Sequence, residues 1–204
     1  AVHVLATQTK GDVMAQVSAS GPSFQHIALM VRDIDKSHRF YTEGLGFEQC
    51  GTLDPRTTTT MVGIPIDFRF YRGAPDRHHD FALVQTPDPA PFGPANTEWN
   101  MFDNKVGINH IAICYPTREE WLERLRIMRD LGIEFRQRGN HGMTHSAYVS
   151  DPDGNGIEVL YELAEDVWVG DVNAALNYWD PMPTDGEASL TDRLENPEFS
   201  RSPA

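Results

Sequence analysis

The stretch "HIALMV", His26 to Val31, returns eighty-four positions later as "HIAICY", His110 to Tyr115. Successive side chains of a strand face opposite ways, so His26, Ala28 and Met30 share one face while Ile27, Leu29 and Val31 share the other. His110, Ala112 and Cys114 repeat that division. Both histidines therefore sit on the face turned away from the aliphatic residues that a helix would cover. Either the repeat is a coincidence, or the chain is an internal duplication whose halves each lend a ligand to one metal.

The segments after each strand favour duplication. The first unit, residues 24–85, continues with a helix over "DIDKSHRFYTEG" and three extended segments, "FEQCGTL", "IDFRFYR" and "DFALVQ". The second, residues 109–162, continues with a helix over "TREEWLERLRIMRDLG" and then "IEFRQRG", "HSAYVSD" and "GIEVLYE". Thr117 and Glu120 make a capping box, Trp121, Leu125 and Met128 fall on one helical face, and Gly132 supplies a left-handed stop. In the first unit Asp33 is the N-cap candidate and Gly44 ends the run. "DPDGNG", residues 151–156, is a dense turn signal that joins an arm carrying Tyr148 to an arm carrying Glu158. The pattern predicts an α+β fold of two tandem βαβββ modules. Residues 1–23 read as an N-terminal extension. The proline- and asparagine-rich residues 86–108 read as a connection long enough to serve as a wall or lid. Residues 163–204 form a polar, acidic tail that wraps the surface or a neighbouring subunit, or is partly disordered.

Composition narrows the function classes. With 17 Lys and Arg against 30 Asp and Glu the formal charge is −13, so a polyanion such as nucleic acid is repelled. No apolar run approaches the roughly 20 residues of a membrane-spanning helix, and the N-terminus lacks the plan of a signal peptide, so a cytoplasmic protein is expected. Cys50 and Cys114 are the only cysteines and read as two reduced thiols.

Aligning "DFALVQ" with "GIEVLY" sets Ala82 against Glu158. The two units together offer His26, His110 and Glu158 on corresponding strands. Two imidazoles and one carboxylate leave the remaining positions of a metal open, which suits non-haem iron(II) that must bind substrate and dioxygen together. Four protein ligands would favour Lewis-acid chemistry on a bound water instead. Glu158 stands between Ile157 and Val159, where an unpaired carboxylate costs several kcal/mol unless a cation compensates it.

These residues, "HIA" at the head of both halves and "YVSDPDGNGIEVLYE" at the close of the second, resemble the vicinal oxygen chelate superfamily. More narrowly they resemble the single-domain form of its type I extradiol catechol dioxygenases, over residues 24–162. The resemblance implies sheets that curl into a cup around iron(II), or manganese(II), held by His26, His110 and Glu158. It also implies that His79, in "HHDFALV", stabilises bound dioxygen, that His141 is the acid–base histidine, and that Tyr148 orients the catecholate. The substrates so implied are a small aromatic diol and dioxygen, and the long acidic tail favours a homo-oligomer. His38 and His145 are expected to be exposed. Phe68, Phe70, Phe81, Phe92, Trp99 and Phe102 are candidates for an aromatic lining of the cup. Other enzymes of the superfamily, lyases or epimerases, place a carboxylate where Ala82 stands, and a metal-free binder of aromatic compounds is the third reading.

Overall fold

The computed structural model describes residues 24–93, 98–102, 106–193 and 195–199. The N-terminal extension, residues 1–23, lies outside the described residues. The first module runs β1 (Ile27–Val31), α1 (Ile34–Arg39), β2 (Glu48–Thr52), α2 (Pro55–Val62), β3 (Phe68–Arg72) and β4 (Phe81–Gln85). The second runs β5 (His110–Cys114), α3 (Arg118–Asp130), β6 (Gln137–Asn140), β7 (Thr144–Ser150) and β8 (Gly156–Glu162). The chain then adds α4 (Glu165–Trp168), α5 (Val172–Leu176) and β9 (Asp180–Pro181).

Two mixed sheets result, in the orders β1-β4-β3-β2 and β5-β8-β7-β6-β9. In each, the opening strand pairs in parallel with the closing strand of its module, and the helix between them makes the crossover. The registers correspond: Ala28 stands opposite Ala82 in the first sheet and Ala112 opposite Glu158 in the second. The local signals act as expected. Asp33 caps α1 through the amides of Asp35 and Lys36, Thr117 caps α3 through that of Glu120, and Gly132 takes φ +75° just beyond α3. α1 widens at its end into a π turn over Phe40–Gly44. α2 is an addition. Its ends are legible, with Asp54 as N-cap, Pro55 in the first turn and Gly63 at φ +83°. Four consecutive threonines, poor helix formers, hide it.

The modules meet through their helix sides in one core. Leu29, Val31, Tyr41 and Leu83 pack in the same cluster as Trp121, Leu125, Met128 and Ile157. The "DPDGNG" turn ties them at one end: buried Asp151 accepts the hydroxyl of Tyr41 at 3.0 Å and the amides of Asp153 and Asn155, while Asp153 pairs with Arg32 at 2.8 Å. The hydroxyl of Tyr115 closes the other end on the carbonyl of Leu45 at 2.8 Å. Phe81, a candidate for the aromatic lining, belongs to this core, 4% exposed and stacked on Tyr71, because odd-numbered residues of β4 point to the helix side. Among the described residues no helix is long and apolar enough to cross a membrane.

Where it is described, the tail is attached to the second sheet. β9 extends the second sheet as its fifth strand, pairing Gly139 with Pro181 and Asn140 with Asp180. Behind that sheet, Arg138 donates to the carbonyls of Pro183, Ala188 and Thr191 at 3.1, 3.4 and 3.0 Å. His145, expected at the surface, is fully buried there, with Nδ1 2.6 Å from Asp192 and Nε2 2.7 Å from Asn196. Strand alternation is the reason, since His145 pairs with Tyr161 on the helix side of the sheet. His38 also differs from expectation, half-buried and 3.0 Å from the hydroxyl of Tyr71.

Asp192 is the centre of the tail's attachment. Tyr161 donates to it at 2.7 Å and Arg118 pairs with it at 2.7 Å. Burial would raise its carboxyl, but the hydrogen bonds from His145 and Tyr161 and the nearby cations outweigh burial and hold it below the ordinary aspartate value. Asp192→Ala strands the buried partners His145 and Tyr161 and removes an ion pair of half-buried Arg118, so chemical denaturation should report a loss of roughly 3–5 kcal/mol. A depressed carboxyl stabilises above its unfolded pKa of about 3.9 and ceases to do so as pH falls through its folded one, so the gap between wild type and variant should close below about pH 4.

Candidate metal centre

The second sheet gathers four of the six expected residues on the face opposite its helix. Tyr148 and Glu158 stand directly across from one another on β7 and β8, and the Tyr148 hydroxyl donates to Glu158 Oε1 at 2.8 Å. His110, at the head of β5, places Nε2 3.2 Å from Glu158 Oε2. His141, just past β6, places Nε2 2.8 Å from the Tyr148 hydroxyl. Because that hydroxyl has given its one proton to Glu158, His141 must be the donor to it. The bonds therefore run one way, from His141 to Tyr148 to Glu158, with His110 on the carboxylate's far oxygen.

Burial sets the electrostatics of this row. Glu158 is only 7% exposed. Burial, reinforced by the negative charge of Glu158 and the hydrogen bond to it, pushes the Tyr148 phenol far above its ordinary value, so it remains a donor. Burial pulls His141 below the ordinary histidine value despite the opposing pull of Glu158, so its ring is neutral near pH 7.

His110 supplies the test of whether a metal fits. Asn109 Nδ2 donates to the carbonyl of Met101 at 2.6 Å, which fixes the amide so that its oxygen faces His110 Nδ1 at 2.7 Å. Nδ1 must then carry the proton, and His110 turns its bare Nε2 lone pair toward Glu158 Oε2. Two acceptors at 3.2 Å require a cation between or beside them, either a proton or a metal ion. The donor chemistry, one imidazole nitrogen and one carboxylate with an open side, suits iron(II), manganese(II) or zinc(II).

His26 and His79 lie elsewhere, on the corresponding face of the first sheet. Their rings are 4.7 Å apart between centroids, and Phe70 stands 5.1 Å from His79. His79 is half-buried and bonds through Nδ1 to Nδ1 of exposed His78 at 2.7 Å. Burial, then the charges of His78 and His26, lower the His79 pKa. Among the described residues no three His, Cys, Asp or Glu side chains come together as a metal site. The structure thus joins His110 to Glu158 but does not bring His26 to them. The physical reason is that both histidines head edge strands of separate sheets whose shared core lies on the opposite, helix side.

Two residues that the strand pattern alone does not mark repeat between the sheets. Gln25 Oε1 accepts from His26 Nδ1, as Asn109 Oδ1 does from His110, and Gln25 Nε2 donates to the carbonyl of His79 at 3.4 Å. Each histidine is so held with Nε2 free. Their signal lies in "QHIA" and "NHIA", a carboxamide before each histidine. Of the candidate lining residues, Trp99 reaches the row: 4% exposed, it stacks on Tyr148 at 5.5 Å and 9°. Its indole donates to the carbonyl of Asn109 at 2.7 Å. Phe70 lies beside His79 with Phe68 against it, whereas Phe92 and Phe102 are exposed. One aromatic residue of the tail joins the site without any local signal: the ring of Trp179 lies 4.6 Å from that of His141.

Comparison with known proteins bears on the family of the chain. A family model described as the Glyoxalase/Bleomycin resistance protein/Dioxygenase superfamily matches residues 23–159. Biphenyl-2,3-diol 1,2-dioxygenase 2 of Rhodococcus globerulus is 26% identical over 68% of this chain and 62% of its own. Catechol-2,3-dioxygenase of Bacillus subtilis (strain 168) is 25% identical over 70% of this chain and 42% of its own. Lactoylglutathione lyase of Pseudomonas putida is 28% identical over 67% of this chain and 83% of its own. The chain thus spans less than two thirds of the length of the dioxygenases it matches. Among solved structures, a genomically encoded fosfomycin resistance protein from Listeria monocytogenes aligns at 21% identity and TM-score 0.49, over 72% of this chain and 98% of its own.

Replacing either carboxamide by leucine, Gln25→Leu or Asn109→Leu, frees the adjacent ring to carry its proton on Nε2. Nitrogen-15 spectra of the histidine side chains should record that tautomer change, and divalent-metal affinity measured by titration should fall about 10- to 100-fold. Unchanged spectra and affinity would remove both residues from the site.

Proposed function

Since the chain belongs to the Glyoxalase/Bleomycin resistance protein/Dioxygenase superfamily, we propose that it is an extradiol dioxygenase, opening the ring of a catechol-type aromatic diol with iron(II) or manganese(II) as its metal. The observation that carries the reading is the one-way row His141–Tyr148–Glu158 beside the bare nitrogen of His110. It sets a neutral imidazole and a persistent phenol donor next to a pair that calls for a cation. The register supports the same choice within the superfamily. Ala82 occupies in the first sheet the place of Glu158 in the second, so the fourth ligand, a second carboxylate, that a lyase of this kind would need is missing. That counts against the activity named for the Pseudomonas putida relative.

His110 and Glu158 would hold the ion, and His26 is the proposed third ligand, which this single chain leaves on its other sheet. When bound, the metal lowers the pKa of the diol and links it electronically to dioxygen. The remaining work falls to side chains of this chain. The Tyr148 hydroxyl, held by Glu158 and His141, orients the diol oxygen. His141, neutral near pH 7, takes up the diol proton and returns it to the opened product. Trp99 backs Tyr148 and shuts water from its far side. His79 is proposed to stabilise reduced oxygen, a role that also depends on bringing the first sheet's cluster to the second. One ring carbon–carbon bond beside the diol breaks and both atoms of dioxygen enter the product, a hydroxymuconic semialdehyde from catechol itself. No further reductant is required.

Protein purified without air and loaded with iron should turn catechol yellow when air is admitted. His26→Ala, His110→Ala and Glu158→Gln should each lose iron, whereas His141→Ala should keep iron and turn over about 10²- to 10⁴-fold more slowly. Stoichiometric iron in all three ligand variants sinks the assignment. Because His141 is held below the ordinary histidine value of about 6.5, the acid limb of kcat should fall below that pH.

A further inference from the structure

Trp179 lies beyond the span that matches the superfamily, which ends at residue 159, yet its indole sits on the face that carries Glu158. Its seat is Gly139 of β6, where a Cβ would stand 2.2 Å from the indole ring carbons. Gly139 pairs with Ser146, and Ser146 is two residues from Tyr148 on the same face of β7. The bare backbone of Gly139 is therefore what lets a large ring lie down beside His141, 4.6 Å away and tilted by 50°.

The ring is held firmly from behind. It immediately precedes β9, whose pairing with β6 fixes Asp180 and Pro181. The amide of Met182 donates to the carbonyl of Arg138 at 2.9 Å, and Arg193 pairs with Asp180. The other tryptophan at the site, Trp99, is closed off at 4% exposure and can only back Tyr148. Trp179 keeps 37% of its surface open. A rigidly seated indole, open on one side and bordering an imidazole that touches the Tyr148–Glu158 pair, offers a π face to whatever lies against that row.

We propose that Trp179 is a specificity-determining wall of the site: its covered side shields His141, and its open face takes the planar ring of the aromatic ligand. This rests on the diol reading for the identity of the ligand, though not for the shielding. A stacked aromatic pair contributes about 0.5–1.5 kcal/mol, or roughly three- to tenfold in affinity.

The test compares wild type, Trp179→Ala and Trp179→Phe in the full chain. Without metal or ligand, diethyl pyrocarbonate labelling of His141 is followed by peptide mass mapping, with exposed His78 as internal reference. The alanine variant should label His141 severalfold faster and the phenylalanine variant close to wild type. With iron and without air, catechol and 2,3-dihydroxybiphenyl should bind about three- to tenfold more weakly to the alanine variant, with phenylalanine restoring affinity. Equal diol affinity in wild type and Trp179→Ala overturns the ring contact, and unchanged His141 labelling overturns the shielding. Were wild type to bind no diol at all, the dioxygenase reading would fall, and the labelling alone would decide whether Trp179 walls the site.

Discussion

A buried carboxylate facing a bare imidazole nitrogen is the constraint around which the second sheet is organised. Glu158 cannot be left uncompensated at 7% exposure, and each neighbour serves that need. Tyr148 donates to one oxygen, His110 waits at the other, and His141 completes the hydrogen bonding of Tyr148. Because Asn109 holds the proton of His110 on the far nitrogen, the compensation is incomplete without a cation. The demand for a cation, a proton or a metal ion, is thus a property of the folded arrangement of donors and acceptors rather than of residue types alone.

The duplicated halves have diverged around that demand. Their registers still correspond strand for strand, and both keep a histidine preceded by a carboxamide that fixes its ring. The first sheet has Ala82 where the second has Glu158, and in place of a carboxylate it carries His79 and Phe70 beside His26. One half has become a polar, acid–base surface and the other an imidazole and aromatic surface. The two helices do not share in this divergence, since together they close one apolar core.

The segments outside the repeat shape the site as much as the repeat does. The connection between modules contributes Trp99, which seats on Gly156 and braces Tyr148. The tail contributes Trp179, which seats on Gly139 beside His141. In both cases a glycine in a strand is what admits the indole. On the helix side the tail is fastened by Asp192, His145 and Arg138, so the same tail that walls one face of the second sheet seals the other.

Residue order alone was enough to specify the paired strands of the two modules, the N-caps of α1 and α3, the "DPDGNG" turn and the hairpin arms that carry Tyr148 and Glu158, though not α2. Those features obey short-range rules: strand alternation, capping and turn chemistry act over a few residues, and the register of one hairpin carries Tyr148 to Glu158. Long-range packing was needed to establish that His145 is a buried anchor, that Phe81 belongs to the core, that Trp179 reaches His141, and that His26 lies apart from His110 within one chain. Each of these depends on contacts between segments far apart in the chain, and no local period records which side of a sheet a distant segment will cover or how two sheets sharing a core will turn their outer faces.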